Sequence, residues 1–181
     1  MSQYQKHIKK LCAEHNIVLV QKPGTPGMMF VEEEPSRIEC PTITNQSEYI
    51  TNLHEIGHCV RGHTQGRPPY QDKKFYFING VLKSEAEAWE YALDNSIDEW
   101  SEASRRFAWD TCLGSYYVGY LHAAGSANNR LLNGNRHHVP FRYDHPNEYF
   151  EKIMKRIQGN IKNFYIPYIG RWYNNVSRYS I

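Results

Sequence analysis

Several features are missing from this 181-residue chain, and each absence removes a class of function. No apolar run approaches the roughly 20 residues that cross a bilayer, so an integral membrane protein is not expected. The opening Met1-Ser2-Gln3-Tyr4-Gln5-Lys6-His7 holds no apolar segment of the kind that directs secretion, and the expected compartment is the cytoplasm. The four cysteines, Cys12, Cys40, Cys59 and Cys112, stand far apart with no Cys-x-x-Cys pair. That spacing excludes a zinc ribbon and, without an export signal, favours buried thiols over a disulfide framework. A net charge of +2 is too small to argue for nucleic acid by itself. No Gly/Ser or Pro run, internal repeat or low-complexity tract divides the chain, so one domain is expected over 1–181.

What is present is enough for a core: 40% of the residues are hydrophobic and 14% aromatic. Tyr4, Ile8, Leu11 and Cys12 recur at helical spacing and predict a helix over 2–15. Short extended runs at 17–20, 28–31 and 37–40 follow, separated by turn-forming Pro and Gly, and predict a small antiparallel sheet. A helix is expected from Asn45 or Ser47 to Gly62, with Ile50, Leu53, Gly57 and Val60 as its buried stripe and His54, His58 and Arg61 at the margin. Gly62 can adopt the left-handed conformation that ends it. Residues 75–78 read as a strand or hairpin arm. Ser84 and Glu87 read as the capping box of a second helix that buries Ala88, Trp89, Ala92 and Leu93. Further helices are expected near 101–123 and 147–158, around a loop at 125–147 and before an aromatic tail. The fold class is therefore α+β, with the sheet and first long helix in 1–83 and a mainly helical part in 84–181.

Within the first long helix stands His54-Glu55-Ile56-Gly57-His58. His-Glu-x-x-His places two imidazoles one turn apart on one helical face, where both can bind a single zinc ion. The intervening Glu55 lies beside the metal and can take a proton from an activated water. A catalytic zinc site usually has a third protein ligand. Glu85 heads the apolar face of the next helix, where burying a carboxylate is costly unless a positive partner meets it. Glu87 and Glu90, on more polar faces, remain the alternatives. A third histidine in the His-x-x-Gly-x-x-His register is not available, because Arg61 and Thr64 occupy those places. His63 is one residue out of register and reads as a helix-terminal histidine favoured by the dipole.

Leu53-His54-Glu55-Ile56-Gly57-His58, followed by Glu85-x-x-Ala88-x-x-Tyr91-Ala92, resembles the gluzincin metallopeptidases, and within them the ImmA/IrrE-type peptidases. The resemblance covers about 28–92. It implies a zincin-like domain, a Zn2+ cofactor held by His54, His58 and Glu85, and Glu55 as the catalytic carboxylate. Leu93-Asp94-Asn95-Ser96 replaces the usual Leu-Leu-x-Pro ending, and no DNA-binding partner domain is recognised.

The expected activity is hydrolysis of peptide bonds in a specific intracellular protein. A strand at 28–31 or 37–40 is expected to pair with the extended substrate. His122, His137, His138 and His145 are available as oxyanion donors, while His7 and His15 read as solvent-facing. The alternative is a non-catalytic, zinc-stabilised regulator. From Lys152 onward there are six basic residues and no acidic one, and Lys155, Arg156, Lys162 and Arg171 interleave with Phe164, Tyr165, Tyr168, Trp172 and Tyr173. Such a region can bind nucleic acid or a protein partner by charge and stacking.

Overall fold

A computed structural model describes residues 1–25, 27–30, 34–63, 74–109 and 148–161. Helix α1 (Gln3–Glu14) starts where Ser2 caps it: the Ser2 hydroxyl accepts from the Gln5 amide, and the Gln5 side chain accepts from that of Ser2. Its buried face is Ile8, Leu11 and Cys12.

Three strands follow, β1 (Val18–Lys22), β2 (Met28–Phe30) and β3 (Arg37–Pro41), in the order β1-β3-β2. The expected antiparallel sheet is thus only half correct. β2 runs antiparallel to β3, with Met28 opposite Glu39, but β1 runs parallel to it, with Val18 opposite Arg37. Burial supplies the reason. Ile38, Cys40 and Pro41 are buried whereas β1 is at most half-buried, so of these two strands the more buried one holds the doubly paired centre.

Helix α2 (Gln46–Val60) opens on a second capping box, between Asn45 and Glu48. It is the central element. Helix α1, strands β2 and β3 and two later helices all pack on it, and every residue from 49 to 58 is buried. The expected single stripe is therefore corrected: His54 and His58 are as buried as the core residues, while Val60 is 37% exposed.

Helix α3 (Lys74–Asp94) corrects two further expectations. Residues 75–78 are helical, not a strand, and Ser84 lies inside the helix rather than at its cap. A short aromatic run has no periodicity that separates strand from helix, and an interior Gly80 lowers helix propensity without forbidding it. Ala88, Trp89 and Ala92 are buried as expected, whereas Leu93 is half-buried.

Helix α4 (Glu102–Phe107) is capped by Ser101, and helix α5 (Glu148–Gln158) buries Phe150, Ile153, Met154 and Ile157 at the spacing of one helical face. The Arg105 guanidinium donates to the carbonyls of Arg156 and Ile157, each at 3.0 Å, which ties α4 to the end of α5. The rest of the stretch expected as helix to 123, the loop at 125–147 and the tail beyond 161 lie outside the described residues. Cys12 and Cys40 are buried free thiols and Cys59 a half-buried one, while Cys112 lies outside the described residues. Among the described residues, no helix is long and apolar enough to cross a membrane.

Candidate metal centre

The site is set by how closely α2 and α3 approach. A Cβ at Gly57 would fall 2.8 Å from the Ala88 carbonyl oxygen and 3.0 Å from the Tyr91 Cβ, so only glycine allows this contact. One turn before Gly57 is His54, and one turn before Ala88 is Glu85. The crossing therefore brings the two together.

His54 Nε2 lies 3.0 Å from His58 Nε2 and 3.2 Å from Glu85 Oε2, and His58 Nε2 lies 3.4 Å from Glu85 Oε1. These three residues form the one group, among those described, whose donor atoms converge closely enough to hold a metal ion. The spacing fits such an ion. Bonds of about 2.0–2.1 Å at tetrahedral angles separate neighbouring ligand atoms by about 3.3 Å. Donor chemistry agrees, since two imidazoles and a carboxylate suit a divalent metal, and all three side chains are buried. Burial tends to raise the Glu85 carboxyl, but hydrogen bonds and charge from His54 and His58 outweigh it and hold the group well below the usual carboxylate range.

Each imidazole is steadied differently. The His54 ring stacks on the Trp89 indole, with centroids 4.3 Å apart, and its Nδ1 has no hydrogen-bond partner among the described residues. His58 has one: its Nδ1 lies 2.9 Å from Nδ1 of His63, whose Nε2 lies 2.8 Å from Glu87 Oε2. Burial holds the His63 imidazole below its ordinary value, against the hydrogen bond that it donates to Glu87.

Glu55 is only 7% exposed. Burial pushes its carboxyl up to about 7, with His58 opposing and Glu85 reinforcing the shift. The start of β2 covers it: a Cβ at Gly27 would lie 2.7 Å from Cγ and Cδ of Glu55.

Of the three acidic candidates on α3, Glu85 alone converges on the histidines. Glu87 holds His63, and Glu90 accepts from the Tyr149 hydroxyl and faces Arg61 and Arg156. Two residues at the site escaped sequence reasoning, His63 and Gly27. A signal for His63 existed. A glycine that ends a helix folds the next residue back over the last turn, and here that residue follows Gly62. No sequence signal marks Gly27, because its role rests on a contact with a distant helix. His7 is not solvent-facing as expected, since its Nδ1 lies 2.9 Å from the Tyr49 hydroxyl; His15 is exposed. Arg156 pairs with Asp94 and Glu90, and Lys155 is exposed. His122, His137, His138, His145, Lys162, Phe164, Tyr165, Tyr168, Arg171, Trp172 and Tyr173 lie outside the described residues. No family model matches the chain, and no curated protein or solved structure matches it either.

Proposed function

We propose that this protein is a zinc-dependent peptidase of the gluzincin kind, akin to the ImmA/IrrE-type enzymes, that cleaves a specific protein substrate. The observation that carries the reading is the buried triangle of His54, His58 and Glu85 with Glu55 beside His54 on the same helix. Among the described residues no fourth side chain joins the triangle. Structural zinc sites are commonly closed by four protein ligands, whereas catalytic ones keep a position for water.

Held by His54, His58 and Glu85, zinc would supply Lewis acidity for the scissile carbonyl and for activating water. Glu55 accepts the proton of the attacking water and passes it to the departing amine. Burial raises the affinity of that carboxyl for a proton, which suits a group that must take one up and hand it on. Glu85 and the two imidazoles stay in place as ligands. Of the two strands expected to pair with substrate, β3 is paired on both sides and is excluded. Among the described residues the outer edge of β2 is unpaired, and Gly27 brings its start against Glu55, so an extended peptide paired there would pass the catalytic carboxylate.

The test is elemental analysis of protein purified without a histidine tag, followed by cleavage of a peptide library. One zinc per chain, lost in His54→Ala and Glu85→Ala, with cleavage lost in Glu55→Gln, is the expected result. No bound metal after zinc is added back sinks the reading. Zinc without cleavage of any peptide turns the assignment to the zinc-stabilised regulator.

A further inference from the structure

We propose that His63 and Glu87 form a positioning relay that aims His58 at the metal; the inference rests on the metal-centre reading above. The local backbone builds it. Helix α2 ends in a Schellman motif: the His63 amide donates to the His58 carbonyl at 3.0 Å, and the Gly62 amide donates to that of Cys59 at 3.1 Å. Gly62 supplies the left-handed residue, with φ of 69°. In this motif the residue after the glycine meets the side chain five positions earlier, usually through an apolar contact. Here the two residues are histidines, and the contact is a hydrogen bond of 2.9 Å between their Nδ1 atoms.

Ligation assigns every hydrogen in the chain. His58 offers Nε2 to the metal, so its hydrogen sits on Nδ1 and is donated to His63 Nδ1. His63 must then carry its own hydrogen on Nε2, and that nitrogen faces Glu87 Oε2 at 2.8 Å. Each link donates in one direction and ends on a carboxylate. Glu87 is oriented in turn by Lys83, whose Nζ lies 3.7 Å from Oε1. An outer partner of this kind fixes the ring orientation and tautomer of a ligating histidine. His54 lacks one among the described residues, so the relay acts on one ligand of the pair.

The experiment measures zinc affinity by competition with a chromophoric chelator for wild type, His63→Phe, His63→Asn and Glu87→Ala. His63→Phe keeps the ring packing but removes both bonds, and is expected to weaken zinc about ten- to a hundredfold while still reaching one zinc per chain at saturation. His63→Asn places an acceptor oxygen near the former Nδ1 and is expected to recover part of the loss. Glu87→Ala is expected to fall between wild type and His63→Phe. Nitrogen-15 spectra of the zinc-bound wild type need no variant to fold, and should show the hydrogen on Nδ1 of His58 and on Nε2 of His63. Zinc binding in His63→Phe within about threefold of wild type overturns the relay alone, as does a hydrogen on Nδ1 of His63. A wild type that binds no zinc overturns the metal-centre reading together with the relay.

Discussion

Glu55 and Glu85 are equally buried carboxylates whose surroundings drive them in opposite directions. Burial acts on both. At Glu85 the two imidazoles reverse it, whereas at Glu55 it prevails and leaves the carboxyl at about 7. A pair separated in this way divides naturally into a permanent anion and a proton carrier. Glu55→Gln is therefore expected to retain zinc and lose about 10²–10⁴-fold in peptidase turnover, read by comparing metal content with kcat. Glu85→Ala should behave differently. It removes the metal and leaves two buried imidazoles without their carboxylate, at a cost of about 1–3 kcal/mol in the zinc-free protein, measurable by urea unfolding. The choice of Glu85 was already legible from the face it shares with Ala88, Trp89 and Ala92, although α3 starts about three turns earlier than expected and Glu85 does not head it. The partnership of His63 with Glu87 was not, because it joins two residues 24 apart in sequence through the end of one helix and the side of another.

Among the elements, α2 is decisive, and its two glycines do separate work. Gly57 sets how near α3 comes, and Gly62 sets where the chain turns after it. Gly57→Ala overpacks the crossing against backbone that cannot yield, and should cost about 1–3 kcal/mol by urea midpoint while weakening zinc binding. Gly27 is the matching position, directly before β2. Gly27→Ala pushes on the Glu55 carboxylate without touching the ligands, so kcat is expected to drop by up to about a hundredfold with zinc content unchanged. Equal loss of zinc and activity in that variant would contradict this placement. The starts of α1 and α2 fell close to the expected 2 and 45–47, and the structure shows Ser2 and Asn45 capping them there. The start of α3 was not readable, because 75–78 is too short a run for its period to be diagnostic.

Across the whole molecule, the candidate ligands come from two helices, so binding of a metal there would be linked to folding. Zinc at a thousandfold excess over Kd should stabilise the protein by about 4 kcal/mol. For a chain of this size that corresponds to a Tm about 8–16 °C above the chelator-treated protein, measured by calorimetry. The thiols give an independent check on the core. Burial pushes Cys12 up to about 12 and Cys40 well above its ordinary value, so thiolate is scarce at both near neutral pH. Both should resist alkylation in the native state and react once the protein unfolds, as mass spectrometry of the labelled chain would show.

By itself the sequence determined the local parts: the approximate extents of α1, α2 and α5, the amphipathic spacing of α1, and the two histidines one turn apart. Each depends on residues within a turn or two of one another, where backbone geometry alone sets the outcome. Tertiary structure decided what depends on approach between distant segments. β3 rather than β2 lies beside β1, a pairing between segments separated in sequence by a third strand that no local pattern records. His54 and His58 lie inside rather than at the margin, because α2 is packed on several sides. The third carboxylate meets them because Gly57 has no side chain to keep α3 away. Periodicity records which face of a helix is apolar, but not how many neighbours will cover it.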